Sequence, residues 1–328
     1  MNWTPYYWGK GDAPDSPRRL PDPPPWRAGR TGPAKRSPAT TYEPPAGLVD
    51  AVNAALHLRR PLLLTGPAGS GKSTVIEQIA VQTGLGDVLR WHITSRSTLA
   101  EALYRYDALG RIHAHALRDG GGAKPVPGAQ AAPSGEDDIG DYLQLGPLGT
   151  ALLPADRPRA LLIDEIDKSD LDLPSDLLDV LERGEFEIPE LARHPVRTVR
   201  VRTAEPGGRV EVEDGLVRCR EFPVIVLTSN GERDFPPPFL RRCVRFDMPP
   251  LSRDVLARIV TAHLDDVDEQ DPTTATLLTA FVEQLGQGQH LAIDQLLNAV
   301  YLLKEGDLED GEQRDRLQQL LLKELGRA

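Results

Sequence analysis

Residues 62–74 read LLLTGPAGSGKST, and this stretch decides the fold. Leu62, Leu63 and Leu64 form an apolar run short enough for a buried strand. Gly66-Pro67-Ala68-Gly69-Ser70-Gly71-Lys72-Ser73 then follows the spacing G-x-x-x-x-G-K-[ST], and STVIEQIAVQTG (73–84) has helical spacing that stops at Gly84. The glycines free consecutive backbone N–H groups to converge on an anion, and the helix behind presents its positive end to the same point. The candidate phosphate-contacting set is therefore Gly66, Pro67, Ala68, Gly69, Ser70, Gly71, Lys72, Ser73 and Thr74. Lys72 can reach the β- and γ-phosphates of a nucleotide, and the Ser73 hydroxyl can ligate Mg²⁺.

Binding a triphosphate is not hydrolysing it. Hydrolysis needs a carboxylate on the metal side and a group that positions water. RALLIDEID (159–167) supplies both: an apolar strand that ends in Asp164 and Glu165. Ligands of open α/β sheets collect at that edge of the strands. Asp164 is the candidate partner of Mg²⁺, and Glu165 the candidate base for the attacking water. VIVLTSN (224–230) is a further apolar strand whose last residue, Asn230, can orient the same water. In FPPPFLRRCVRFDMPP (235–250), Arg241, Arg242 and Arg245 follow a stiff proline run. An arginine held outward there can enter a neighbouring copy's nucleotide site.

Away from these motifs the chain alternates strand and helix patterns. GLVDAVNAALHLRR (47–60) and LPSDLLDVLERGEFEI (173–188) read as helices, the second opened by Pro174 and stopped near Gly184. VLRWHIT (88–94) is a strand candidate, and TVRVRTAEPGGRVEVEDGLVRCREF (198–222) alternates about a Gly-Gly turn as a β-hairpin. Apolar strands alternating with helices imply a parallel sheet covered on both faces. After Ser252 only helical spacing remains, in RDVLARIVTAHL, ATLLTAFVEQLG, AIDQLLNAVYLLK and EQRDRLQQLLLKEL. The expected organisation is a Pro-rich arm over 1–45, carrying Trp3, Tyr6, Tyr7, Trp8 and Trp26; an α/β core over 46–250, with a low-complexity insert near 118–141 and the hairpin near 196–222; and a small all-α domain over 251–328.

Composition narrows the function classes. The 328 residues are 40% hydrophobic and 27% charged, an ordinary balance for a packed core. The net charge of −11 argues against general duplex binding. The two cysteines, Cys219 and Cys243, form no zinc-ligand spacing, and the sequence has no membrane-length apolar run and no signal-peptide pattern. The expectation is a cytoplasmic protein with reduced thiols.

The four motifs, in this order, resemble those of the AAA+ ATPases, and their flanks resemble the MoxR-like branch. The resemblance covers about residues 46–250 and rests on LLLTGPAGSGKS (Walker A), LGPLGTALL and ALLIDEIDKSDLDLPSDLLDVLERGEFEIPEL (Walker B and its flanks), VIVLTSN (sensor 1) and FPPPFLRRCVRFDMP (arginine-finger region). It implies a P-loop αβα sandwich followed by a helical lid, with ATP and Mg²⁺ between them. It also implies a homo-oligomeric ring, often a hexamer, in which Arg242 acts on the neighbouring site with Arg241 in reserve. A protein client is implied, for which such proteins often use von Willebrand A-type partners. By the same resemblance, the segment from Arg105 to Leu148 falls where this branch carries an insert in its second helix, and the hairpin falls where it carries a client-facing element. The sequence departs from the pattern in one place: QHLAIDQLLNAV (289–300) has no arginine where many relatives contact the γ-phosphate, and His290 and Gln295 are weak substitutes. Two other readings stay open. One is a nucleotide-dependent switch with little turnover. The other is a DNA-directed motor using Arg197, Arg200, Arg202 and Arg209, against which stand Glu211, Glu213 and Asp214.

Overall fold

In a computed structural model of the chain, the described residues are 42–120, 139–250, 252–264, 272–286 and 293–305, with Pro24, Arg316, Leu320 and Leu321 described singly. Most of the Pro-rich arm with its five aromatic residues, most of the low-complexity insert, His290 and most of the fourth C-terminal helix pattern lie outside the described residues. The chain divides into two compact units. One comprises Tyr42–Thr65 and Lys72–Asp247; the other groups Gly66–Gly71 with the described residues of Met248–Ala328.

The larger unit is built on a five-stranded parallel sheet. Helix α1 (Leu48–Leu58) leads into β1 (Leu62–Thr65), and α2 (Lys72–Thr83) into β2 (Leu89–His92). Strands β5 (Ala160–Asp164), β10 (Val224–Ser229) and β11 (Val244–Asp247) complete the sheet in the order β11-β1-β10-β5-β2. Leu62–Leu64, Ala160–Ile163 and Ile225–Ser229 are buried at every position, as strands covered on both faces must be. The order matters for the site. It places β10 between β1, which feeds the glycine-rich loop, and β5, which ends in the carboxylates.

Between β2 and β5 the chain forms α3 (Leu99–Leu103), β3 (Tyr104–Tyr106), α4 (Ala108–Gly120), β4 (Leu143–Leu145) and α5 (Pro147–Ala151). Helix α3 is capped by the Thr98 hydroxyl, which accepts from the N–H of Glu101. Two short helices thus flank an antiparallel β3–β4 pair, and they meet closely. A Cβ at Gly149 would lie 1.9 Å from the carbonyl oxygen of Leu103.

Strands β3 and β4 belong to a second, six-stranded sheet, of order β3-β4-β7-β8-β9-β6. Here β6 is Glu185–Glu187, β7 Thr198–Arg202, β8 Arg209–Glu213 and β9 Leu216–Arg218. Helix α6 (Leu173–Arg183) ends at Gly184, whose φ of 66° continues the chain directly into β6. Helix α7 (Pro189–Ala192) follows β6. The expected hairpin is present as β7–β8, closed through Gly207 and Gly208. A second turn continues it: Asp214 (φ 52°) and Gly215 (φ 71°) both take the left-handed conformation of a two-residue hairpin turn and bring β9 onto β8.

The core of the larger unit is continuous across both sheets, running from Leu63, Ile163 and Leu227 through Leu145, Leu152 and Leu177 to Val201 and Phe186. The smaller unit has its own core. Helices α9 (Arg253–His263), α10 (Pro272–Gly286) and α11 (Ile293–Glu305) bury Leu256, Val260, Leu277, Phe281, Leu296 and Val300 against one another. One short helix, α8 (Pro237–Leu240), precedes β11.

Candidate nucleotide site

The glycine-rich loop has the backbone its sequence requires. Gly66, Gly69 and Gly71 take φ of 145°, 75° and 82°, values open to glycine and strained for other residues. At Gly69 space is also short, since a Cβ there would come within 2.9 Å of Ile293 in the same unit. The helix α2 opens at Lys72 with no acidic residue of its own in the first turn.

Lys72 is 7% exposed, and its Nζ donates to Oδ1 of Asn230 at 2.9 Å. Burial pulls its ammonium below the usual lysine value, while the carboxylates of Asp167, Asp164 and Glu165 oppose the shift. The Ser73 hydroxyl, one residue on, donates to Oδ1 of Asp164 at 2.9 Å. Lys72, Ser73, Asp164 and Asn230, chosen from three separate segments, thus join at the C-terminal edge of three adjacent strands.

Glu165 follows Asp164 in a left-handed conformation, φ 60° and ψ 48°. That costs a non-glycine residue on the order of 1–3 kcal/mol, so its surroundings must hold it. They do so through Thr228 on the neighbouring strand β10. Its Oγ1 accepts from the N–H of Glu165 at 2.9 Å and donates to Oδ1 of Asp164 at 2.6 Å. The Glu165 carboxylate accepts from Nζ of Lys168 at 2.8 Å, and Nε2 of His92 lies 3.6 Å away. His92 stands directly beside Asp164 in the β2–β5 register.

Asp167 is 3% exposed. Its Oδ2 accepts from the N–H groups of Asn230 at 2.8 Å and Glu232 at 3.2 Å. Its Oδ1 is buried without a hydrogen-bond partner among the described residues. An orphaned carboxylate oxygen in such a place is the usual position of an ordered water.

Thr228, Asp167 and His92 were not singled out in the sequence. Thr228 lies on β10 two residues before Asn230, which follows the strand's last residue. The roles of Asp167 and His92 depend on which strands are neighbours, which no local pattern states.

Arg242 and Arg241 are not part of this cluster. Arg242 Nε donates to Glu182 on α6, and its Nη1 to the carbonyl of Pro238 at 3.2 Å. Arg241 is exposed, and its carbonyl accepts from Arg60 at 2.8 Å. Both cysteines are free thiols whose pKa burial raises, that of Cys243 to about 12.

The oxygen donors fit Mg²⁺. Asp164 and Ser73 supply a carboxylate and a hydroxyl on one side, the set that Mg²⁺ takes when water and phosphate oxygens complete its shell. Among the described residues no cluster of three or more His, Cys, Asp or Glu could hold a metal without such help. No described helix is long and apolar enough to cross a membrane.

No family model matches the chain, and no curated protein matches it. Many solved structures are similar, two of them as follows. NtrX from Brucella abortus in complex with ATP is 16% identical with a TM-score of 0.40, over 85% of this chain and 51% of that one. A point mutant of Thermotoga maritima RuvB is 14% identical with a TM-score of 0.40, over 86% of this chain and 70% of that one. This chain thus spans about half the length of the NtrX chain it matches.

Proposed function

We propose that this protein binds ATP with Mg²⁺ and hydrolyses it, as a member of the AAA+ ATPases of MoxR-like type. One observation carries the reading: Lys72 pairs with Asn230 while the adjacent Ser73 pairs with Asp164, at the edge where the parallel strands end. A γ-phosphate beside Lys72 would have the carboxylate edge of β5 next to it. Asp164 and Ser73 would hold Mg²⁺, which when bound neutralises charge on the phosphates. Asn230 then orients the attacking water, and Glu165, turned out of β5 by its left-handed backbone, takes the water's proton.

The reading extends to an oligomer. Arg242 is two-fifths exposed at its side chain and its partner Glu182 is more so, so the pair costs little to break. A subunit that packs this face on a neighbour's nucleotide places Arg242 at the γ-phosphate in trans. We assign the work of such a ring to remodelling a protein client.

Replacing Glu165 by Gln tests the reading. Nucleotide affinity is expected to stay within about threefold of the parent, since the carboxylate is not a phosphate ligand, while phosphate release falls about 10²-fold or more. A variant that hydrolyses ATP at the parent rate overturns the assignment of Glu165. A parent protein that binds ATP tightly and releases no phosphate identifies a nucleotide switch instead.

A further inference from the structure

We infer that Asp167 is a positioning residue for ATP hydrolysis: its buried carboxylate holds the backbone of Asn230 and thereby aims the Asn230 side chain at the γ-phosphate side of the site. The inference rests on the ATPase reading above and deepens it.

Asn230 lies just past the last residue of β10, where ladder hydrogen bonds no longer fix the chain. The next residue, Gly231, has φ 79° and nothing within 4 Å of where a Cβ would stand. A residue in that position would wander unless tethered. Asp167 supplies the tether. It sits in the 3₁₀ turn Ile166–Lys168, immediately after the catalytic strand β5, and one carboxylate oxygen accepts the N–H groups of both Asn230 and Glu232. The same turn takes a second bond from the same loop, from Nη1 of Arg233 to the carbonyl of Ser169 at 2.6 Å. The loop after β10 is thereby fastened to the turn that carries Asp164 and Glu165. Lys72 Nζ meets Asn230 only because the backbone of Asn230 is held where it is.

A purely structural carboxylate would be a poor choice here. Burial of a charge is costly, and Oδ1 has no partner among the described residues to offset it. Only a short acceptor that can take two N–H groups at once locks Asn230 and Glu232 together.

The test measures ATP turnover and nucleotide affinity in the full chain for Asp167→Ala, Asp167→Asn, Asn230→Ala and Asp167→Ala/Asn230→Ala. Loss of the tether is expected to lower kcat about 10- to 100-fold, the cost of misplacing a catalytic group by about 1 Å, with ATP affinity measured by a fluorescent analogue within about threefold. Asp167→Asn keeps an amide oxygen for both N–H groups and should recover most of kcat, and it also serves if the alanine variant does not fold. The double variant should be no slower than Asn230→Ala alone, because Asp167 acts through Asn230. Amide hydrogen exchange at residues 230–232 should quicken in Asp167→Ala and not in Asp167→Asn. Turnover unchanged in Asp167→Ala, equal losses in the Ala and Asn variants, or multiplying losses in the double variant would each overturn the inference while leaving the ATPase reading intact. A parent protein that hydrolyses no ATP overturns both.

Discussion

Thr228 stands at the junction of the site. One hydroxyl satisfies the N–H of a left-handed Glu165 and steadies the carboxylate of Asp164. Thr228→Val keeps the shape and removes both bonds. It should cost about 1–3 kcal/mol of stability, because the Glu165 N–H is left without its partner, and lower turnover more than nucleotide affinity. Chemical denaturation and phosphate release measure the two effects. Other residues were readable without coordinates. Lys72, Ser73, Asp164, Glu165 and Asn230 stand out in sequence because each follows an apolar strand in a spacing that phosphate chemistry requires. Thr228, Asp167 and His92 did not, because their importance comes from strand neighbours dozens of residues away. Asp167 meets Asn230 across 63 positions.

At the scale of elements, the half-buried β2 and the β7–β8 hairpin were legible by alternation and the fully buried strands by composition. β1, β5 and β10 announce themselves as apolar runs bounded by polar residues, and α2 and α6 by their spacing and glycine stops. β11 did not: its Val-Arg-Phe-Asp is only four residues long and half-buried, and it directly follows Arg241-Arg242-Cys243. The three-residue strands β3, β4 and β6 are too short to show a period, and they exist only through pairing with distant partners. β9 carried a local sign, Asp214-Gly215, that a single hairpin about Gly207-Gly208 absorbed. The close approach of α3 and α5 gives a test of the second layer of structure. Gly149→Ala would drive a methyl group against the Leu103 carbonyl oxygen, a backbone atom that cannot turn aside, and near the Phe186 ring. The expected loss is about 3 kcal/mol, at the upper end for an overpacked site, read as a lowered Tm. A Tm equal to the parent's would mean that the two short helices are not packed as described.

For the whole molecule, charge and assembly are the open quantities. With a net charge of −11, duplex DNA at low salt should leave ATP turnover unchanged. Stimulation that fades as salt rises would instead favour the hairpin arginines as a nucleic-acid surface. Assembly is tested through Arg242. Arg242→Ala should lose about 10³-fold in turnover and keep its nucleotide. Mixed with Glu165→Gln, which is inactive but retains its arginine, it should regain activity. Absence of recovery at every mixing ratio would confine Arg242 to its own subunit.

The most direct measurement is calorimetric titration of ATP into the parent protein, Lys72→Ala and Asp164→Asn, each with Mg²⁺ and with a chelator. A triphosphate held between Lys72 and Asp164 predicts tighter binding with Mg²⁺ in the parent, an affinity about 10- to 100-fold weaker in Lys72→Ala, and loss of the Mg²⁺ effect in Asp164→Asn. Equal affinities across all three proteins, with and without Mg²⁺, would contradict it.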